Sequence, residues 1–523
     1  MTNEPTAGVH DLFEAVRGGA DDAVVRLLRA GASAEATDEY GETALYLASV
    51  SDEPGMVRLL LTAGADPERA CGQDGGDLPL CGAACGGHTE VVRALLAAGA
   101  APDRREAFGF TALVWAVVQG FTDTVEALLD GGADPDLPGP GGESPLLLAA
   151  RRGSAATVRT LLAHGAGADG ARRADGNGAH GDGPSARKAA LAEARRWLTL
   201  DVERELRDGL LRAYGDGYET VVRRVEAEGS QTVVVELLRD GAPVAGVEQQ
   251  TGHAAVATLL EAELGIVTPY EVLAARASRC GDPGRDDWRE PVAVLWARGN
   301  DDTYRAAVAS CKAADPLRQA FGAAVLGQLG RRSAGVRSER SYTARAVPVL
   351  RELSRRAAAP EVAGAVVEAL GQQGDPAVLP EILRHRAHPD AGVRRRVALA
   401  STGLVAGGDG EAVAALAELS GDPDPAVRRG AVAALAGVDA DTPEIRAALA
   451  ARLRDPDADT AAEAAAGLAV RQDPRAVDAL ARILADAEPD GYARQLAADA
   501  VRYLPEGPDR RRLERTLPRR HGT

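Results

Sequence analysis

A Gly-Ala step recurs through the first third of the chain at Gly31, Gly64, Gly99, Gly132 and Gly165, at intervals of 33, 35, 33 and 33 residues. A Leu-Leu pair precedes each step by three or four residues: Leu27, Leu60, Leu95, Leu128 and Leu161 open the pairs. A second register runs in phase, Thr43-Ala44-Leu45, Leu78-Pro79-Leu80, Thr111-Ala112-Leu113 and Ser144-Pro145-Leu146. Self-similarity at this period constrains the fold more than any single residue does, because each unit is too small to bury its own apolar face and has to stack on its neighbours. Val and Leu positions three or four apart give one apolar helical stripe per segment. Thr or Ser at the head of a segment caps the first turn, Pro suits the position after it, and Gly ends the second helix in a left-handed turn.

These residues resemble the ankyrin repeat, whose TPLH-type start, A-A-x-x-G-H middle and V-x-x-L-L-x-x-G-A-D end are matched by the run from Leu78 to Ala100. Five copies keep register over residues 8–168, with His10–Ala32 as the N-terminal cap. The His of the TPLH start is replaced in every copy, by Tyr46, Cys81, Val114 and Leu147. Residues 169–186 are rich in Gly, Asp and Ala without apolar periodicity and read as a flexible linker. Residues 187–310 read as an irregular helical segment, in which Thr251–Gly265 resembles the second half of a degenerate ankyrin unit.

Further on, a different unit repeats. Val362, Val393, Val427, Thr460 and Tyr492 are equivalent, 31, 34, 33 and 32 residues apart, and Asp-Pro steps make a turn before several of its helices. Residues 311–508 resemble short HEAT-like repeats, a type found also in phycobilin lyases. Cys311–Arg340 looks like an early unit, with a Gly/Ser/Arg-rich insertion at Arg331–Ser341, and residues 509–523 form a basic tail. The expected fold class is all-α: two α-solenoids, an ankyrin array with short hairpin fingers and a HEAT-like array, joined by a linker and an irregular helical segment.

Charge and composition narrow the function. Residues 1–170 hold 25 Asp and Glu against 11 Arg and no Lys, while the rest of the chain is nearly balanced. Acidity on this scale disfavours nucleic acid as a partner of the first array. The N-terminal stretch is acidic where a secretory leader is basic, and no apolar run approaches the length that spans a bilayer, so a cytoplasmic protein without membrane contact is expected. Five cysteines at irregular spacing do not form a disulfide framework. Lysine occurs only at Lys188 and Lys312; with the abundance of alanine, this matches the codon bias of a GC-rich bacterial genome.

Nothing in the chain matches the phosphate-loop, nucleophile-elbow or HExxH motifs. Cys81, Cys85 and His88 have a spacing that faces one metal, but they fall on repeat positions and lack a fourth ligand, so neither metal nor cofactor is expected. Asp-rich runs such as Asp422–Val427 read as turns and caps, since they lack the Gly and Glu of a calcium loop.

The resemblance places partner contacts on the fingers before each TPLH-type start and on the two positions before each G-H. Here these are Glu39, Tyr40 and Glu42; Asp74 and Asp77; Phe108, Phe110 and Gln119; Glu143, Arg151 and Arg152. Phe108 and Phe110, loop-borne rings in a chain with 3% aromatic residues, are the residue type expected at a binding hot spot. Trp115 reads as core. In the second array Arg394, Arg395, Arg396, Arg428 and Arg429, with Arg318, either line up as a polyanion-binding stripe, as HEAT-like DNA glycosylases suggest, or form a structural Asp–Arg ladder with Asp422–Arg428 as one pair. The ladder is favoured by the near-neutral charge there. The leading expectation is a non-enzymatic scaffold for protein partners; the alternative is an enzyme or enzyme subunit on the HEAT-like half, with His385, His388, Asp390 and Tyr304 as its candidates.

Overall fold

The first Leu of each pair decides the packing of the first array. Leu60, Leu95, Leu128 and Leu161 are completely buried, as are Leu113 and Leu146 of the second register to within 1%. Each such side chain contributes about 1.5–3 kcal/mol on burial. The computed structural model describes residues 7–73, 75–168, 183–227, 229–331, 342–488 and 491–517. Asp74, positions 169–182 of the expected linker, positions 332–341 of the expected insertion and positions 518–523 of the tail lie outside the described residues. The chain divides into two compact units, Met1–Pro291 and Val292–Thr523.

In the first unit, helices come in pairs: α1 (Ala7–Arg17) with α2 (Asp21–Arg29), α3 (Ala44–Val50) with α4 (Pro54–Thr62), α5 (Pro79–Gly86) with α6 (Thr89–Ala97), α7 (Ala112–Gln119) with α8 (Thr122–Asp130), and α9 (Pro145–Arg152) with α10 (Ala155–Ala163). The odd-numbered helices pack in file as one layer and the even-numbered ones as the other. Thr43, Thr111 and Ser144 cap the inner helices by accepting from Tyr46, Val114 and Leu147 N–H groups at 3.1, 3.3 and 3.3 Å. Gly64, Gly99, Gly132 and Gly165 all end their helices at φ between 88° and 96°, where a Cβ is strained.

A carboxylate ladder sets the spacing between repeats. Glu35 accepts from the Asp66 N–H at 2.8 Å, Glu68 from Ala101 at 2.8 Å, Asp103 from Asp134 at 2.8 Å and Asp136 from Gly167 at 2.7 Å. Part of the acidity of this end therefore holds the array together.

The segment after the fifth pair departs from the expectation of helix alone. It contains α11 (Gly183–Trp197), α12 (Val202–Tyr214), three strands, β1 (Glu219–Ala227), β2 (Ser230–Arg239) and β3 (Ala242–Gln250), then α13 (His253–Glu263), α14 (Tyr270–Cys280) and α15 (Asp286–Arg298). The strands form an antiparallel sheet in the order β1-β2-β3. Val233, Val235 and Leu237 of β2 bury one face against Leu206 and Leu210 of α12. Asp240 and Gly241, at φ 53° and 78°, make the tight β2–β3 turn.

The layers nevertheless continue past the fifth pair. Helix α11 packs on α9, and α13 packs on both α10 and α11, so one further helix pair extends the stack with α12 and the sheet inserted between its members. His253 opens α13 as His88 precedes α6: the His253 Nε2 lies 3.1 Å from the Arg151 carbonyl oxygen, the His88 Nε2 3.2 Å from that of Val50. The His253 ring is buried and stacks on Trp197, centroids 5.1 Å apart.

The second unit repeats its own two layers. One is built of α17 (Pro316–Gly330), α19 (Pro360–Gly371), α21 (Ala391–Ser401), α23 (Pro425–Ala436), α25 (Ala458–Val470) and α27 (Tyr492–Ala500), each packed on the next. Helices α18 (Thr343–Arg356), α20 (Leu379–Leu383), α22 (Gly410–Leu419) and α24 (Pro443–Ala451) form the other, with α16 (Asp301–Ser310) on α17 and α26 (Arg475–Asp486) on α25. Small residues let the first layer close: a Cβ on Gly467 would lie 2.8 Å from the Cβ of Ala436, and one on Gly371 2.7 Å from that of Ala400. Interfaces this tight explain how the chain does with few rings.

Arg471, 8% exposed, caps the end of α23 from the neighbouring repeat. Its guanidinium donates to the carbonyl oxygens of Leu435, Ala436, Val438, Ala440 and Gly467. Arg471→Met removes all five of these donated bonds, leaving the Leu435 and Val438 oxygens only the backbone N–H groups of Val438 and Ala440, and is expected to cost about 2–4 kcal/mol, read as a shift of the second unit's transition in urea. Burial pushes the His253 imidazole down to about 4. A histidine depressed in the fold adds stability that is complete above its unfolded value of ~6.5 and drains away as pH falls toward 4. NMR titration of its ring should give a midpoint near 4, and a midpoint at the ordinary histidine value would contradict its burial.

Candidate protein-interaction surface

Hairpin fingers join each outer helix to the next inner one, and main-chain bridges close them, Thr37 with Thr43 and Cys71 with Asp77. The fingers also bond in file. Gly72 N–H donates to the Gly41 carbonyl at 2.9 Å, and Ala107 N–H to that of Gly76 at 3.1 Å. A Cβ on Gly41, at φ 76°, would stand 3.0 Å from the Gly72 oxygen, so this approach requires glycine.

A carboxylate inside the turn fixes each aromatic tip. Asp38 accepts from the Tyr40 and Glu42 N–H groups at 2.9 and 3.0 Å, and is itself held by Arg17 at 3.0 Å. Two fingers on, buried Glu106 accepts from Phe108 and Phe110 N–H groups at 3.0 and 3.2 Å. The sequence reading had not singled out Asp38 or Glu106; the signal was an acid two residues before each exposed ring.

The two phenylalanines part company. Phe108 is 68% exposed, with Tyr40 at 51%, whereas Phe110 stacks on Trp115 with centroids 4.3 Å apart. Trp115 itself is only partly buried, so the stack forms part of the surface. Tyr46 adds a further ring beside Asp77; burial first, then the Asp77 charge, push its hydroxyl up to about 12. Burial also raises the Glu42 carboxyl, Asp38 and Asp77 raise it further, and Arg17 opposes them. Glu39 is exposed.

The remaining positions are tied into the chain. Gln119 Nε2 lies 3.8 Å from the Cys85 sulfur. Glu143 forms a two-pronged pair with Arg151 at 2.6 and 3.1 Å, and Arg151 reaches Glu193 of α11 at 3.3 Å. Arg152 donates to the Val118 carbonyl at 3.1 Å and to Glu248 of β3. Gln249 of β3 donates to the carbonyl oxygens of Arg151 and Arg152. The inserted sheet thus occupies the end of the fifth inner helix, and the solvent-facing aromatic surface belongs to the first four repeats.

In the second unit a structural ladder takes up several of the arginines, in a register different from the Asp422–Arg428 pair expected. Arg394 grips Asp422 at 2.7 and 2.9 Å, and Arg428 grips Asp455 at 2.9 and 2.8 Å, each spanning to the next repeat. Arg428 meets residue 422 only at its carbonyl oxygen, 3.1 Å away. The second Asp of each D-P-D run caps the following helix: Asp424 accepts from Ala426 and Val427, Asp457 from Thr460. The Arg394 guanidinium holds Asp422 below the usual carboxylate range; burial, the largest influence on Asp455, pulls it upward, but Arg428, the Asp457 N–H and Arg452 together bring the net shift down. Arg429 pairs with Asp459 at 2.8 Å, Arg396 approaches Glu368 at 3.8 Å, and Arg395 is exposed.

The residues considered for an enzyme have structural neighbours. His385 is buried with Nε2 3.0 Å from the Ser354 hydroxyl, which donates to the Glu381 carbonyl at 3.1 Å. His388 Nδ1 accepts from Asp390 N–H at 3.1 Å, and Asp390 caps α21 through Val393 N–H. The Tyr304 ring lies under Arg345 at 4.0 Å and its hydroxyl donates to the Arg345 carbonyl. The Cys81 thiol, raised by burial to about 12, lies 4.0 Å from the carbonyl oxygens of Arg104 and Phe110. Among the described residues no three His, Cys, Asp or Glu side chains converge on a metal-sized site.

Comparison with protein families matches residues 80–174 to ankyrin repeats in 3 copies, residues 40–71 to the ankyrin repeat and residues 408–502 to HEAT repeats. A search of curated proteins finds no match to the chain. Both repeat types are typical protein-interaction scaffolds. Among the described residues no helix is long and apolar enough to cross a membrane.

The ladder yields a separable prediction. Arg428→Gln removes the two-pronged partner of the Asp455 carboxylate, whose side chain is 1% exposed and which keeps only the Asp457 N–H at 3.0 Å and Arg452 at 3.7 Å, and is expected to cost the second unit about 1.5–3 kcal/mol in urea denaturation. Retention of the folded variant on a heparin column should not change.

Proposed function

Because the chain combines ankyrin repeats with HEAT repeats, we propose that it is a non-enzymatic scaffold that holds a partner protein on the finger face of its first array. The second array supplies a separate surface. Phe108 carries the reading. A loop-borne phenylalanine exposed to 68% in a chain with 3% aromatic residues is the residue type that anchors a binding hot spot. The Glu106 carboxylate holds its backbone in place before any partner arrives, which lowers the ordering cost of binding. Tyr40, held in the same way by Asp38, extends the surface along the file of fingers.

The division of labour follows the sequence reading: residues 8–168 as the ankyrin array, 187–310 as its elaborated continuation, 311–508 as the HEAT-like array. The C-terminal face of the fifth repeat is left out of the contact surface, because Arg151 and Arg152 are committed to Glu143, Glu193 and Glu248. A cytoplasmic setting suits the five free cysteines Cys71, Cys81, Cys85, Cys280 and Cys311.

The test is affinity capture from native lysate with the full chain and with the double variant Tyr40→Ala/Phe108→Ala. Loss of two anchors of about 1–2 kcal/mol each predicts at least a tenfold drop in recovered partner at an unchanged melting temperature. Equal recovery by both proteins would move the contact to another face.

A further inference from the structure

Phe108 and its neighbours show that the finger face is apolar in part; the first two fingers show which charge it takes. The chain has 5 Phe, 4 Trp and 9 Tyr, and Tyr40, Tyr46, Phe108, Phe110 and Trp115 all fall on the fingers or inner helices of two repeats, those of α3 and α7. Tyr40 is flanked by Glu39 and by Glu42, whose carboxylate lies within the fields of Asp38 and Asp77. The arginines of these fingers are already engaged. Arg17 is bound to Asp38, and Arg105 donates to the carbonyl oxygens of Gly109 and Pro138. Arg69 and Arg104, behind the fingers, are bound to Glu35 and Glu68. The arginines nearest these fingers are thus engaged within the array, while Tyr40 stays exposed between Glu39 and Glu42 in the chain. The acids of the repeat-spacing ladder are a different set, so Glu39 and Glu42 have no part in holding the stack.

We propose that the partner bound on this face is a cationic protein segment, an extended stretch carrying arginine or lysine, with one such side chain lying over Tyr40 and neutralised by Glu39 and Glu42. This rests on the finger face being the contact surface. A cation above an electron-rich ring gains from the ring quadrupole, and the neighbouring carboxylates add a charge-assisted hydrogen bond to the same group. The excess of 25 acids over 11 arginines in residues 1–170 adds long-range attraction for a cationic segment. Acidic peptides and nucleic acids meet repulsion at the same place. Phe108, two fingers further on, takes an apolar residue of the same segment.

A fluorescein-labelled 12-residue peptide of alternating arginine and glycine, titrated with the full chain, tests the proposal by fluorescence anisotropy. Glu39→Gln/Glu42→Gln should weaken binding at least fivefold and Tyr40→Ala at least threefold. Asp123→Asn/Glu126→Gln, which removes equal charge from the exposed side of α8, should leave it within twofold. Equal weakening by both charge-removing pairs, or no binding of the arginine peptide at all, would overturn the proposal. The two readings separate in the lysate capture. If Tyr40→Ala/Phe108→Ala loses the partner while Glu39→Gln/Glu42→Gln keeps it, the finger face stands as the contact surface and its preference for cations is refuted. If neither pair affects capture, the surface itself is wrong.

Discussion

Two short helices side by side leave an apolar stripe on each that neither can cover, and everything else in this chain follows from covering it with the next pair. Burial alone does not set the distance or angle of that next pair, because Leu and Val side chains slide against each other at little cost. Directional bonds do. In the first array a carboxylate in the turn of one repeat accepts from the backbone of the turn in the next, four times over, at 2.7–2.8 Å. In the second, Arg394 and Arg428 reach across to Asp422 and Asp455. Both devices join residues about one repeat apart in sequence, so a periodic chain supplies them periodically.

This division of roles explains why acidity and binding are easily confused in the first array. Glu35, Glu68, Asp103 and Asp136 set the repeat spacing, Asp38 and Glu106 shape the turns, and Glu39 faces outward beside the half-buried Glu42. The three classes have the same chemistry and differ only in where the backbone donors lie. The same turn that buries a carboxylate under its own N–H groups projects the next ring into solvent, so a stable finger and an exposed aromatic tip are two consequences of one local arrangement.

The repeats themselves were legible. Period, leucine pairs, capping residues and left-handed glycines all act within a few residues of each other, and they appear in the structure as helix starts and stops at the positions read. The sheet was not seen. Val233, Val235 and Leu237 alternate in the β manner and Asp240-Gly241 is a hairpin turn, but these signals sit inside a segment whose flanks, α11 and α13, follow helical periodicity. A reading that expected continuation of a solenoid assigned the whole segment to helix. The arginine ladder was foreseen in kind and missed by one repeat in register: Asp422 and Arg428 are close in sequence, yet Arg428 extends along its helix toward Asp455, and Arg394 arrives at Asp422 from the repeat before.

What the sequence determined by itself is therefore the local and the periodic: which segments are helices, where they end, how often the pattern repeats, and that the repeats have to stack. What only the tertiary structure decided is which member of each similar pair faces outward. Phe108 and Phe110 are two residues apart on one finger, and the fold stacks one on Trp115 and leaves the other bare. Arg151 and Arg152 occupy partner-contact positions, and an insertion roughly a hundred residues downstream closes over them. Exposure belongs to the assembled neighbourhood and has no local code, because it depends on what distant segments bring against a residue once the stack has formed.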